Sequence, residues 1–137
     1  MYVTAFYGVL DTRTGELAYA NGGHNPPVIF SPDGEIRKLR QPSGPMVGLF
    51  GRSYPTLTTR LEPGQGILVH TDGVTDAVNR NDEFFEEERL DEFIKQHCRD
   101  SAPDLARGLH AAVKEFAAGV PLADDTTVLV LKYFGPC

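Results

Sequence analysis

The stretch Ile67-Leu68-Val69-His70-Thr71-Asp72-Gly73-Val74-Thr75-Asp76 is the pivot of the chain. Ile67 to Thr71 reads as a short apolar strand, entered through the turn Glu62-Pro63-Gly64-Gln65-Gly66 and left at Asp72-Gly73. Everything before it has the pattern of strands and turns. Tyr2 to Leu10, rich in aromatic and β-branched residues, turns at Asp11-Thr12-Arg13-Thr14-Gly15 and returns as Glu16 to Ala20, an antiparallel hairpin. Asn21-Gly22-Gly23-His24-Asn25-Pro26-Pro27 is a loop, because its prolines remove amide donors and its glycines admit positive φ. Val28 to Phe30 and Glu35 to Leu39 form a second strand pair around Pro32-Asp33-Gly34. Gln41 to Gly51 is irregular, and Tyr54 to Leu61 alternates loosely as a further strand.

After the pivot the apolar period changes. Leu90, Phe93, Ile94 and Cys98 recur at helical spacing within Glu86 to Cys98. Ser101-Ala102-Pro103-Asp104 starts a second helix, with Ser101 as cap and proline in the first turn. Leu105, Leu109, Ala112, Val113 and Phe116 form its stripe, and Gly119 is its stop. Thr126 to Tyr133 alternates again as a final strand. Antiparallel strands, then two helices, then one strand define an α+β pattern with helices on one side of a sheet.

Bulk properties narrow the function classes. A chain of 137 residues fits one domain, and its formal charge of −6 disfavours sequence-independent phosphate binding to nucleic acid. No apolar run approaches the ~20 residues of a membrane span, and no basic-then-apolar leader opens the chain, so a cytoplasmic location is expected. Cys98 and Cys137 read as two reduced thiols, with no disulfide or metal-ligand spacing.

Two clusters carry candidate chemistry. Asp72 follows an apolar strand, and Asp124-Asp125-Thr126-Thr127 precedes the last one. Rim carboxylates on strands that can be neighbours suit a hard cation such as Mg²⁺ or Mn²⁺. Each cluster also reads as ordinary turn or loop-end chemistry. A twelve-residue calcium loop from Asp72 to Glu83 fails, since its sixth position is Ala77 rather than glycine. The histidines show no zinc pattern. His70 sits in a strand and packs; His97 and His110 lie on helices; His24, in the glycine-rich loop, is placed either to brace that loop or to act. No nucleophile elbow, P-loop or dinucleotide fingerprint is present.

Several runs together resemble the SpoIIE-like bacterial phosphatases of the metal-dependent (PPM, or type-C) serine/threonine protein phosphatase family. They are Tyr2 to Asp11, Tyr19 to Pro27, Gly48-Leu49-Phe50, Leu61-Glu62-Pro63-Gly64, His70 to Ala77, and Asp124 to Val130. The resemblance implies an α-β-β-α sandwich of two antiparallel sheets with outer helices. It implies two Mn²⁺ or Mg²⁺ ions that activate water against a phosphoserine or phosphothreonine, with Asp72 and Asp124 as metal ligands. Asp125 stands where many relatives have asparagine. His24 stands where eukaryotic relatives place an acidic residue and is assigned to the substrate side. The implied partner is a phosphoprotein such as an anti-anti-sigma factor, with a possible upstream sensor domain.

The chain departs from the family at its start. The motifs Gly-Asp-x-x-Asp and Gly-Asp-Val-x-Gly-x-Gly do not occur in it. The resemblance places the bridging aspartate, the first two strands and one helix layer there. The expectations are a partial phosphatase domain over 1–137, either a fragment or a misplaced start at Met1, binding at most one cation weakly. An open sheet face and strand edge would then drive homo-oligomerisation. Two other classes compete: a non-catalytic regulatory module that keeps the fold, and an unrelated α+β binding domain.

Overall fold

The computed structural model describes residues 1–49 and 51–136. Phe50, in the Gly48-Leu49-Phe50 run, and the Cys137 thiol lie outside the described residues. Seven strands and three helices follow in the order β1 (Ala5–Leu10), β2 (Glu16–Gly22), β3 (Val28–Phe30), β4 (Ile36–Lys38), β5 (Leu57–Arg60), β6 (Gly66–His70), α1 (Asp72–Thr75), α2 (Glu86–His97), α3 (Ala102–Ala117) and β7 (Val128–Lys132). The strands divide into two antiparallel sheets, ordered β1-β2-β5 and β4-β3-β6-β7.

Alternation along β3 and β6 explains the layering. Val28, Phe30 and Leu68 point to one side, where they pack with Val74, Leu90, Ile94, Leu105, Leu109 and Val113 of the helices. Ile29 and Ile67 point to the other side and meet Leu17 and Tyr19 of the small sheet. The four-stranded sheet is therefore covered on both faces, and β3 and β6 read as continuous apolar runs for that reason. The expected arrangement, with both long helices on one side of a sheet, is what forms.

Helix α3 begins as its sequence indicates. The Asp104 amide donates to Ser101 Oγ at 3.2 Å, and the Ser101 hydroxyl donates to the Asp104 carboxylate at 2.7 Å. It ends one residue before the expected stop: Ala118 takes the left-handed cap with φ 49°, and Gly119 follows with φ 87°. Gly66 is required inside β6, because a Cβ there would lie 2.4 Å from Phe30 Cζ.

The two histidines expected on helices lie on α2 and α3. His97 is half-exposed, stacks on Phe93 and reaches Asp100 at 2.8 Å. Buried Cys98 sits just past the end of α2. The outer face of the small sheet is open, with Tyr7 70% and Val9 55% exposed.

Lys38 clamps the helix layer to the sheet. Its side chain is only 12% exposed, and its ammonium lies 2.8 Å from both Glu87 and Asp91 of α2. Burial opposes its charge, but the hydrogen bonds it donates to Asp91 and Glu87 outweigh that and raise its pKa above the ordinary 10.5. The Lys38 hydrogen bond in turn holds Glu87 below its ordinary 4.5. The clamp is therefore whole between those two ordinary values, fading as pH falls through the Glu87 carboxyl or rises through the Lys38 ammonium. Lys38→Met leaves Asp91, whose Oδ1 already lacks a partner, without its cation. The expected loss is roughly 1–3 kcal/mol at pH 7, shrinking as the pH falls through the lowered Glu87 carboxyl. Urea melts of both proteins at pH 7 and pH 3.5 check this; a pH-independent difference would contradict the clamp.

Candidate metal centre

Strands β6 and β7 are neighbours, with His70 opposite Val128, so the segments leaving and entering them meet at one end of the sheet. The Thr71 amide donates to the Thr127 carbonyl at 3.1 Å, and the Thr127 amide donates back to Thr71 Oγ1 at 3.0 Å. The Thr71 hydroxyl donates to the Asp125 carbonyl at 3.0 Å, and Thr126 Oγ1 donates to the Gly73 carbonyl at 3.3 Å. These four bonds stitch residues 71–73 to residues 125–127, which are more than fifty positions apart in the chain.

Asp72 does not stand in the simple turn its Asp-Gly sequence suggests. It opens α1, a single turn in which the Asp76 amide donates to the Asp72 carbonyl at 2.8 Å. Gly73 permits the close approach: a Cβ there would lie 2.3 Å from the Asp125 carbonyl oxygen. Asp124 Oδ1 accepts from the Asp125 amide at 2.8 Å, which fixes one carboxylate oxygen toward its own backbone. The Asp72, Asp124 and Asp125 residues are all exposed.

These donors suit a hard divalent cation, since they are carboxylate oxygens at a rigid strand end. They do not amount to a complete cage: among the described residues no group of three or more His, Cys, Asp or Glu side chains is arranged to hold a metal. Water would have to supply the remaining positions, as Mg²⁺ commonly retains several.

The other sequence-predicted residue, His24, lies in the loop after β2. Its ring Nδ1 is 3.1 Å from Thr4 Oγ1. Buried Asn21 holds its backbone, with Oδ1 accepting from the His24 amide at 2.7 Å and Nδ2 donating to the His24 carbonyl at 3.0 Å. Asn21 was not singled out in the sequence; the signal was there, as an asparagine three residues before the histidine in a Gly-Gly loop. His70 is buried as expected and donates from Nδ1 to the Thr71 carbonyl at 3.0 Å. Burial lowers its pKa, against the hydrogen bond to the Thr71 carbonyl, which raises it. The antiparallel register of β3 and β6, with Val28 opposite Leu68, carries the loop before β3 toward the end of β6 at His70. His24 thus has a loop-bracing contact, and it also lies on the side of the molecule where Asp72 emerges.

The two-sheet arrangement is that of a PP2C-type phosphatase domain. The SiaA PP2C domain of Pseudomonas aeruginosa superposes with a TM-score of 0.83 at 24% identity, covering 95% of this chain and 51% of that one. Residues 1–134 match the family described as Stage II sporulation protein E (SpoIIE), and the chain belongs to that family. The phosphoserine phosphatase RsbU of Bacillus subtilis is 26% identical over 133 residues, 96% of this chain and 39% of RsbU. Protein IcfG of Synechocystis sp. is 40% identical over 95 residues, 69% of this chain and 15% of IcfG. The chain thus spans well under half the length of these two relatives. Phosphatases of this type are metal-dependent. No helix among the described residues is long and apolar enough to cross a membrane.

Gly73 offers a test of the stitch that alters no carboxylate. Gly73→Ala must push residues 124–126 away from α1, and is expected to weaken Mn²⁺ binding by about 10–100-fold, as loss of an outer support typically does. Mn²⁺ titration followed by electron paramagnetic resonance reads this directly. Unchanged affinity in a folded Gly73→Ala protein would separate the two segments' spacing from metal binding.

Proposed function

We propose that residues 1–137 form part of a PPM-type phosphatase domain. Its activity is metal-dependent hydrolysis of phosphoserine or phosphothreonine on a protein substrate in bacterial signalling. Asp72 and Asp124 are the ligands it contributes to a Mn²⁺ or Mg²⁺ site, and His24 lies on the substrate side. The single observation that carries this is the stitch between residues 71–73 and 125–127, which holds two acidic loop ends together at the rim of one sheet. Membership of the SpoIIE family and similarity to a phosphoserine phosphatase support the substrate class. An anti-anti-sigma factor is the kind of phosphoprotein that fits, in the cytoplasm and with a sensor domain upstream.

A divalent ion, when bound, lowers the pKa of water and neutralises charge building on phosphoryl oxygens. The chain's own residues hold and orient. The Asp72 backbone is held by α1, and one Asp124 carboxylate oxygen by the Asp125 amide, so both side chains start from determined places at the rim. The His24 backbone is held by Asn21, which leaves the ring poised to donate to a phosphoryl oxygen from Nε2. With Asp72 and Asp124 as its two carboxylate ligands, one cation binds weakly, with a dissociation constant on the order of millimolar.

Mn²⁺ titration and Mn²⁺-dependent hydrolysis of para-nitrophenyl phosphate test this together. Weak binding that disappears in Asp72→Asn and in Asp124→Asn, with little turnover, is the expected result. Binding retained in the double variant would remove both ligand assignments. Robust turnover lost in Asp72→Asn would keep the assignment and overturn the weak-site expectation. Metal binding with no turnover in any longer version of the protein would favour the non-catalytic regulatory module.

The same chain is proposed to self-associate through the open outer face of β1. Tyr7 and Val9 are exposed there on an edge strand whose second side has no strand partner among the described residues. Light scattering is expected to show a dimer or larger species that Tyr7→Lys shifts toward monomer. A monodisperse wild-type monomer would count against it.

A further inference from the structure

The candidate centre stands between two walls of opposite charge. Beside α1, Asp76, Glu86 and Glu88 border a shallow pocket on the α2 side. On the other side, Arg107, His110 and Lys114 lie at spacings of three and four residues on α3, which puts them on one stripe. Two adjoining pockets separate this stripe from residues 122–128; they share His110, Thr126 and Thr127, and one of them reaches Asp124. They form a single open groove whose basic helical wall faces Asp124 and Asp125 of the candidate centre. Neither the Lys114 ammonium nor the His110 ring has a hydrogen bond or ion pair among the described residues. Arg107 donates to Asp104 at 3.1 Å but is 76% exposed, with further donors free.

We propose that this groove is the specificity surface of the centre, taking the acidic flank of a phosphorylated protein segment. This rests on the phosphatase reading of Asp72 and Asp124 and extends it to the class of substrate. The chain carries a formal charge of −6, so an acidic ligand is repelled on average and a local cationic stripe decides where it lands. From Arg107 to Lys114 the helix rises about 10 Å, the reach of about three extended peptide residues. The opposite wall, with Asp76, Glu86 and Glu88, disfavours the same acidic residues. Together the walls set the direction in which the substrate segment lies across the site: acidic side toward α3, neutral or basic side toward α2.

Fluorescence anisotropy with labelled twelve-residue phosphoserine peptides tests this in Mg²⁺ at low salt, without requiring turnover. One peptide carries three glutamates before the phosphoserine, one carries three after it, and one carries three lysines. A fourth is the better glutamate peptide without phosphate. The better glutamate peptide is expected to bind roughly fivefold tighter than the lysine peptide, with the difference shrinking in high salt. Arg107→Glu combined with Lys114→Glu, both on the exposed side of α3, is expected to reverse that order. Circular dichroism verifies that the variant folds. No flank preference in the wild type, or an order unchanged in the variant, overturns the proposal. If phosphate binding still depends on Mg²⁺ in that case, the phosphatase reading survives alone. A flank preference that the variant reverses, with no contribution from the phosphate, supports the groove while removing the phosphatase reading.

Discussion

Burial of β6 on both faces is the constraint on which the rest of the molecule depends. A strand with one solvated face can slip or bend at modest cost, whereas a shift of one residue here would exchange two fully buried sets of side chains. Ile67 lies in the layer between the sheets and Leu68 in the layer under the helices, each almost without solvent contact. Gly66 adds a steric lock, because the fully buried Phe30 ring occupies the space a side chain would take. Across the strand from Gly66, the Lys132 ammonium donates to the Cys98 and Asp100 carbonyls at 2.9 and 2.6 Å, tying the end of β7 to the end of α2. With register held at one end, the other end of β6 cannot wander, and Asp72 leaves the sheet from a determined place. The precision a cation site needs is thus borrowed from the core rather than built by the loop.

Some of this was legible in the sequence and some was not, for identifiable reasons. The strand alternation, the change of period after the pivot and the Ser101 cap are local signals, and each corresponds to an element at nearly the expected bounds. Helix α1 was hidden because four residues are too few to display a period, and Asp-Gly after a strand ordinarily marks a turn. Residues 77–85 carry no apolar period either. They are organised by Asn79, whose Oδ1 accepts from the Asn81 and Glu83 amides at 2.9 and 3.0 Å, and by a bridge between Val78 and Phe84. The division into sheets is not written locally at all. β5 and β6 are consecutive, yet β5 pairs with β2 and β6 with β3 and β7. At the candidate site, Asp72 and Asp124 were visible as residue types at strand ends. The hydroxyls of Thr71 and Thr126 that bind the two segments together became visible only once β6 and β7 were adjacent.

The charge distribution adds a separate consideration. Several acidic groups on the surface have cations beside them: Asp11 with Arg13, Asp104 with Arg107, Glu87 with Lys38 and Arg40. Among the described residues, the Asp72, Asp76, Asp124 and Asp125 carboxylates have no such partner. A protein that gathers like charges on stitched, rigid backbone loses stability to their mutual repulsion. Ordinary loop ends relieve this by letting backbone and side chains both diverge into water, but here the bonds from Thr71 and Thr126 hold the two backbones together and leave only the side chains to turn away. Lys114, a cation with no ion pair among the described residues, borders the same groove as Asp124 without bonding to it. On the proposed reading, the acidic end of β6 and β7 takes its neutralising charge from outside the chain, which a divalent ion supplies more compactly than a lysine.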